Sequence, residues 1–562
     1  MTERVLAGVA ASRGTALGMV RRLDSGGVID ASVLEVDARP AAAAHALEAL
    51  ARSARQLEEL AVTLRRDGRS DEADIVDAGM MMAEDPVLLE AVESAVLTRG
   101  LNAASAIRLE AEAVAAQLDL LGDPELAARA ADVRSLARRA SRLATGDGDS
   151  IERDAGQDVV LIASDLGPAD VIELGGDVRG IALAVGGVAS HAAIVAQGRG
   201  IPMVVGVGAG VLTLPDGEQC IVDCDHSAVI ASPDPPRVEA ALRAIASARK
   251  VHARAVAGRN LPTVTRDGRT VRVLANAAYP GDVREGLEAG AEGVGLYRTE
   301  LSFLDARHWP TVAEHRRILG PELLQLRGLT ATVRLLDFGG DKTPPFLHGV
   351  PGRGVELLLG APEALAWQLE AILDTGDATE LRVLIPMVTE PGQVRAVRAA
   401  VEPIAARKGC RIPLIAAMVE VPAAAVMAGR IAPDVGMFSI GTNDLTTFQL
   451  GIDRVRPGGA PTHHPAVLRL IADTVAAARA VEIPVEVCGA AAANELVMPL
   501  LVGLGVDELS VAADAVPEVR AWVRALDYSE AATIARRALD AESAAEVESL
   551  ERPLRALLND AG

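Results

Sequence analysis

From about residue 261 onward, short apolar runs alternate with helix-forming stretches. The runs are "VRVLANA", "GVGLYRTE", "TVRLLDFGGD", "LRVLIPMV", "PLIAAMVEV", "MFSIGTNDL", "PVEVCGA" and "ELSVA". Each reads as a strand, and each is followed by residues with the texture of a helix. About eight βα units in succession predict a closed (β/α)8 TIM barrel over 261–562.

In such a barrel the chemistry sits just past the carboxyl ends of the strands. Here the second run ends in Arg298 and Glu300. The third carries Arg334 and leads through "DFGGDK" to Lys342. The fifth ends at Glu420, and the sixth in Asn443 and Asp444, with Arg454 following in "GIDR". The seventh ends at Cys488. The topology would bring all of these to one mouth. Arg298, Arg334, Lys342 and Arg454 offer charge to an anion with several oxygens, the arginines as forks and the lysine as a point charge. Glu420 and Asp444 are hard oxygen ligands suited to Mg2+, which keeps waters and shares substrate oxygens. The set predicts a site for a small phosphorylated carboxylate with a magnesium ion. Any one strand-end Arg or Glu would as readily be structural, so the convergence carries the reading. Cys488 alone reads as a small buried hydrophobe; at this mouth it is a candidate proton donor.

The first half has a different texture. Residues 41–144 read as helix after helix, from "AAAAHALEALARSARQLEELAVTLRR" to "DPELAARAADVRSLARRASRLATG", the last with Asp123 as N-cap and Pro124 at the first helical position. From Asp158, "DVVLIASDL", "GIALAVGG", "PMVVGVG" and "QCIVDCDHSAVIAS" read as strands, as does the start of the chain. The pattern predicts an α/β domain made of 1–40 and 145–231, with a helical subdomain, 41–144, inserted in it. "SPDPPRVEAALRAIASARKVHARAV" predicts a proline-rich hinge and linker helix over 232–260.

One histidine stands out, His191 in "GGVASHAAIVAQG". Gly186 and Gly187 would let the backbone approach a phosphate closely, and Ser190 is a plausible N-cap for a helix whose N-terminus favours a phosphoryl group. A neutral imidazole is a competent nucleophile toward phosphorus. The surrounding sequence offers no local catalytic partner, and the bland alternative is a buried histidine with a satisfied hydrogen bond.

The formal net charge of −22 argues against nucleic acid and anionic membrane as partners. The four cysteines, Cys220, Cys224, Cys410 and Cys488, form no CxxC pair or disulfide framework, so a reduced, cytoplasmic setting is expected. Cys220 and Cys224 read as structural. No apolar run is long enough to span a bilayer, and no signal peptide is evident at the start.

These motifs carry a resemblance. "GGVASHAAIVAQG" resembles the phosphohistidine loop shared by enzyme I of the sugar phosphotransferase system, pyruvate phosphate dikinase and phosphoenolpyruvate synthase. "GVGLYRTE", "LLDFGGDK", "MVEVPAAA", "FSIGTNDLTTFQLGIDR" and "VCGA" resemble the phosphoenolpyruvate-binding barrel of that family, in the same order and over nearly the whole chain. "MMMAEDPVLLEAV" and "AARAADVRSLARR" are similar to the enzyme I subdomain that docks the phosphocarrier protein HPr, and too few residues precede His191 for a dikinase's ATP-binding domain. The resemblance is therefore to the phosphoenolpyruvate–protein phosphotransferase branch.

That resemblance implies that His191 accepts the phosphoryl group of phosphoenolpyruvate and passes it to a histidine of HPr, the first step of sugar uptake by this system. It implies substrate phosphate on Arg298 and Arg334 with Lys342 nearby, and Mg2+ on Glu420 and Asp444. Substrate oxygens would lie on Asn443, Asp444 and Arg454, with Cys488 as proton donor. Arg134 is similar to the arginine that meets the phosphohistidine, and the family forms a homodimer through the barrel. The chain also departs from the pattern. Gly167 and Ala189 stand where the family usually has threonines, Gln197 where it has arginine, Glu356 where a second Arg is common, and Ala490 where Glu follows Cys-Gly. Arg13 replaces a proline. The first three changes remove two hydroxyls and a charge around His191, each charge-assisted bond being worth about 1.5–3 kcal/mol. Two other readings stay open: a regulatory paralogue that binds phosphoenolpyruvate with little transfer, and a dikinase-like small-molecule phosphotransferase.

Overall fold

The computed structural model describes residues 3–23, 33–66, 76, 79–80, 82–120, 124–146, 157–188, 190–279, 281–340, 342–452 and 461–560. The chain divides into two compact units, Met1–Arg249 and Lys250–Gly562. The division falls within the helix Pro235–Ala257.

The first unit is built on an eight-stranded mixed sheet. Its strands are β1 (Arg4–Ala7), β2 (Val9–Ala10), β3 (Thr15–Arg22), β4 (Val159–Ala163), β5 (Val178–Leu183), β6 (Met203–Val205), β7 (Gln219–Asp223) and β8 (Ala228–Ala231), in the order β1-β8-β7-β3-β4-β5-β6-β2. β3 to β6 run parallel and the flanking pairs antiparallel. β4 shows why its sequence is unbroken apolar. Val159, Leu161 and Ala163 join one buried cluster and Val160 and Ile162 another, so both faces of the strand are covered.

Between β3 and β4 the chain forms the long helices Arg39–Arg66, Pro86–Arg99, Ala103–Leu120 and Pro124–Thr145. Their small apolar faces, with Ala46, Leu50, Val92, Ala106 and Ala140 among the most buried residues, pack into the same cluster as the outer face of β4 and β5. Pro124 opens the last helix, as its sequence suggests; the expected N-cap, Asp123, lies outside the described residues. Cys220, on β7, and Cys224, just past its end, are buried free thiols.

The second unit holds the expected barrel. Strands β9 (Arg272–Ala277), β10 (Gly293–Arg298), β11 (Thr330–Arg334), β12 (Glu380–Ile385), β13 (Leu414–Val419), β14 (Met437–Gly441), β15 (Val485–Cys488) and β16 (Glu508–Val511) close into a ring. Every neighbouring pair is parallel, including β16 with β9. The lumen is not wholly apolar. One buried apolar cluster there holds Leu296, Leu384, Ala416, Met418, Met437 and Cys488. Arg382, Ser439, Glu486, Glu508 and Ser510 are buried alongside them. Among the described residues no helix is long and apolar enough to cross a membrane.

Candidate active site

Strand pleating and closure bring the predicted barrel residues together. A cavity of about 300 Å3 opens at the C-terminal ends of the strands, and Arg298, Arg334, Lys342, Glu420, Asn443, Asp444 and Cys488 all line it. Arg454 lies outside the described residues.

The cationic wall is held by buried carboxylates. Arg334 is 3% exposed and pairs with Glu300, which is fully buried, and with Asp337 at 3.4 Å. Lys342 Nζ lies 2.9 Å from Asp337 and 3.4 Å from Glu300. Burial pushes the Asp337 carboxyl up, but the charges of Arg334 and Lys342 outweigh it and hold the group below its ordinary value. A guanidinium pinned in this way presents a fixed fork to an anion and loses little freedom on binding.

Glu420 faces this wall from β13. Its Oε1 accepts a 2.7 Å hydrogen bond from the Met387 backbone N–H. Met387 adopts φ 54°, a left-handed conformation uncommon for a residue with a side chain, which aims that N–H into the site. Burial, and then the negative charge of Asp337, push the Glu420 carboxyl up to about 7. Asp444 sits in the first turn of the helix Thr442–Leu450, with Arg353 at 3.7 Å. Asn443 Oδ1 accepts from the Ala490 N–H at 3.1 Å, and Thr442 Oγ1 donates to the Cys488 carbonyl. Cys488 is a buried thiol that burial, then the charge of Glu486, push up to about 12, so it is held protonated.

The donor set fits a hard divalent cation. The charge of Asp444 adds to the cost of ionising the buried Glu420, which a cation between them would relieve. Among the described residues no group of three or more His, Cys, Asp or Glu is placed to hold a metal unaided. Two carboxylates, with substrate and water completing the shell, is the arrangement magnesium favours.

In the first unit, Ser190 caps the helix His191–Gly198 by accepting from the Ala193 N–H, as the sequence suggests. The expectation that His191 lacks a local catalytic partner is corrected. Its Nδ1 lies 2.9 Å from Oδ2 of Asp132, a residue 59 positions earlier on the helix Pro124–Thr145. Asp132 is buried while His191 is one-third exposed. Helix packing makes this contact, so no local motif announces it; Asp132 lies two residues before Arg134 within "AARAADVRSLARR". Arg134 itself forks onto Glu112, with Nε 2.9 Å from Oε2 and Nη2 2.9 Å from Oε1. Gly167 packs on Ser135, whose hydroxyl donates to Asp170 at 2.6 Å. Gln197, Glu356, Ala490 and Arg13 are exposed, and Ala189 lies outside the described residues. Besides Asp132, sequence reasoning passed over Asp337, which lies inside the quoted "LLDFGGDK", and Arg353.

The sequence matches three family descriptions in order. They are PEP-utilising enzyme, N-terminal, over residues 7–129; PEP-utilising enzyme, mobile domain, over 155–227; and PEP-utilising enzyme, PEP-binding domain, over 252–528. A multiphosphoryl transfer protein of Xanthomonas campestris pv. campestris is 35% identical, over 98% of this chain and 67% of that one. A phosphoenolpyruvate-protein phosphotransferase of Geobacillus stearothermophilus is 32% identical over 97% of each chain. One of Bacillus subtilis is 31% identical, over 96% of this chain and 98% of that one.

Proposed function

The chain belongs to the phosphoenolpyruvate–protein phosphotransferase family, and from that premise we propose that His191 takes the phosphoryl group of phosphoenolpyruvate in the barrel cavity and hands it to a histidine of HPr. The observation that carries the proposal is the convergence of Arg298, Arg334, Lys342, Glu420, Asn443, Asp444 and Cys488 on one cavity.

In this reading Asp132 accepts the Nδ1–H of His191, which leaves the lone pair on Nε2. Nε2 forms a bond to phosphorus as the bond from phosphorus to the enol oxygen breaks. Arg298, Arg334 and Lys342 carry the charge of the moving phosphoryl group. Glu420 and Asp444 would hold Mg2+, which supplies Lewis-acid neutralisation of substrate oxygens. Asn443 and Arg454 orient substrate oxygens. The released enolate takes the Cys488 proton at carbon and becomes pyruvate. The positive ring formed at His191 is stabilised by Asp132, with Arg134 close by in sequence to meet the phosphoryl group.

The same reading assigns 1–40 and 145–231 to the phosphohistidine domain and 41–144 to HPr docking. It makes 232–260 a linker and 261–562 the phosphoenolpyruvate-binding, dimerising barrel of a cytoplasmic sugar-uptake system. The test is incubation with 32P-phosphoenolpyruvate and Mg2+, followed by purified HPr. Wild type should take label and pass it on, and His191→Ala should take none; label in that variant overturns the assignment. A regulatory binder is the second reading, favoured by Gly167 and Gln197 near His191. It predicts phosphoenolpyruvate binding by calorimetry with no label in wild type.

A further inference from the structure

Below the cavity, β14 and β15 place three side chains in line. The register pairs Ser439 with Glu486 and Gly441 with Cys488. Pleating turns Glu486 and Cys488, two residues apart, toward the same side as Ser439. Ser439 Oγ lies 2.9 Å from Glu486 Oε1 and 3.6 Å from Cys488 Sγ. Cys488 Sγ in turn lies 3.6 Å from the Ile440 carbonyl oxygen. Ser439 and Glu486 are fully buried and Cys488 is 1% exposed.

Glu486 is in a place that disfavours a charge. Among the described residues its Oε2 has no hydrogen-bond partner. That oxygen points at Gly295, where a Cβ would come within 2.7 Å of it, so glycine makes the room. The nearby cations are engaged elsewhere. Arg382 binds both carboxylate oxygens of Glu508, and Arg272 lies 3.1 Å from one of them. Burial, and then the charge of Glu508, push the Glu486 carboxyl up to about 8.

Proton counting points the same way. Ser439 has one hydroxyl proton and can donate once. With Glu486 protonated, Glu486 donates to Ser439, Ser439 donates to Cys488 and Cys488 donates to the Ile440 carbonyl. Every proton then has an acceptor.

We propose that Glu486 is a buried proton store for the active-site thiol, delivering its proton through Ser439 to Cys488. The proposal rests on the reading that Cys488 protonates the enolate of pyruvate. As the enolate carbon takes the Sγ proton, Ser439 passes its hydroxyl proton to sulfur and takes the carboxyl proton of Glu486. The negative charge ends on the Glu486 carboxylate, and no thiolate is stranded in an apolar site. After pyruvate leaves, water in the cavity returns a proton by the reverse route, since Cys488 lines that cavity. Glu486 touches no substrate and acts as a positioning and relay residue.

The test uses the full-length chain with Mg2+ in D2O. It follows exchange of the pyruvate methyl protons by NMR, pyruvate binding by calorimetry, and His191 labelling from 32P-phosphoenolpyruvate. Glu486→Gln and Ser439→Ala should each slow exchange about tenfold or more with pyruvate binding unchanged. Ser439→Ala keeps every charge in place, so it guards against a Glu486→Gln protein that fails to fold. Wild-type exchange should rise as pH rises through about 8, because taking a methyl proton from pyruvate runs the relay in reverse and needs the Glu486 carboxylate, and this limb should vanish in Glu486→Gln. If wild type takes label and Glu486→Gln exchanges at the wild-type rate with the same pH profile, the relay is overturned alone. If wild type neither takes label nor exchanges, the phosphotransfer reading falls and the relay with it.

Discussion

His191 Nδ1 and Asp132 Oδ2 stand 2.9 Å apart, joining the loop that opens one helix to the middle of another. A carboxylate at that nitrogen decides which ring nitrogen keeps its proton and which is free to react. The family-like loop around His191 is therefore completed by a residue from the helical insertion.

Asp132→Ala should lower the rate of label entry into His191 by about 10- to 150-fold, the worth of a charge-assisted hydrogen bond of about 1.5–3 kcal/mol. Rapid-quench single turnovers with 32P-phosphoenolpyruvate measure it. A wild-type rate in the variant would remove Asp132 from the mechanism.

Gly167 has φ −91° and ψ 167°, a conformation open to any residue, so space alone excludes a side chain. A Cβ there would lie 2.5 Å from the Ser135 Cβ. Gly167→Thr should destabilise the first unit by about 1–3 kcal/mol, the usual cost of overpacking. Gly167→Thr combined with Ser135→Gly should recover most of the loss in a thermal melt. Equal melting of the single and double variants would show that the clash is absorbed elsewhere.

Glu300 and Arg334 form a buried pair, and neutralising Glu300 leaves Asp337 alone to balance the buried charges of Arg334 and Lys342. Glu300→Gln should cost about 3–5 kcal/mol in urea unfolding of the barrel. Lys342→Met should cost less, because Lys342 is 15% exposed and Asp337 still holds Arg334. The reverse ranking would mean that Lys342, not Arg334, anchors the wall.

Glu420, pushed up to about 7, must lose its proton to bind a metal. Chelation should abolish label entry. The Mg2+ concentration for half-maximal labelling should rise as pH falls below about 7, approaching tenfold per unit. A flat dependence between pH 6 and 8 would separate Glu420 from the metal.

Glu486 also bears on stability. Its carboxyl rises from the ordinary 4.5 to about 8 in the fold, so the folded state holds a proton that the unfolded state releases. That contribution is fully present below about pH 4.5 and is lost as pH rises through about 8. Urea unfolding of wild type should therefore weaken between pH 6 and 9, and Glu486→Gln should flatten the decline. An unchanged slope in the variant would assign the titration to another group.

The barrel and most of its mouth are legible in the order of residues along the chain. Eight short, mostly apolar runs alternating with helical stretches point to a parallel barrel, and the residue at the carboxyl end of such a strand lies at its mouth. Arg298, Arg334, Glu420, Asp444 and Cys488 were legible for that reason. The Ser190 cap of the His191 helix was legible too, because an N-cap acts within a few residues.

Contacts between distant segments come from packing and are not written in any local pattern. Asp132 meets His191 only because helix packing closes a gap of 59 residues. Ser135 fills the space beside Gly167 for the same reason. Glu486 reads in sequence as an unremarked charge in "PVEVC" and becomes a partner of Ser439 only through the register of β14 and β15. Local pattern carries periodicity and strand ends. Which charged groups share a buried place, and so which of them hold protons, follows from packing and register alone.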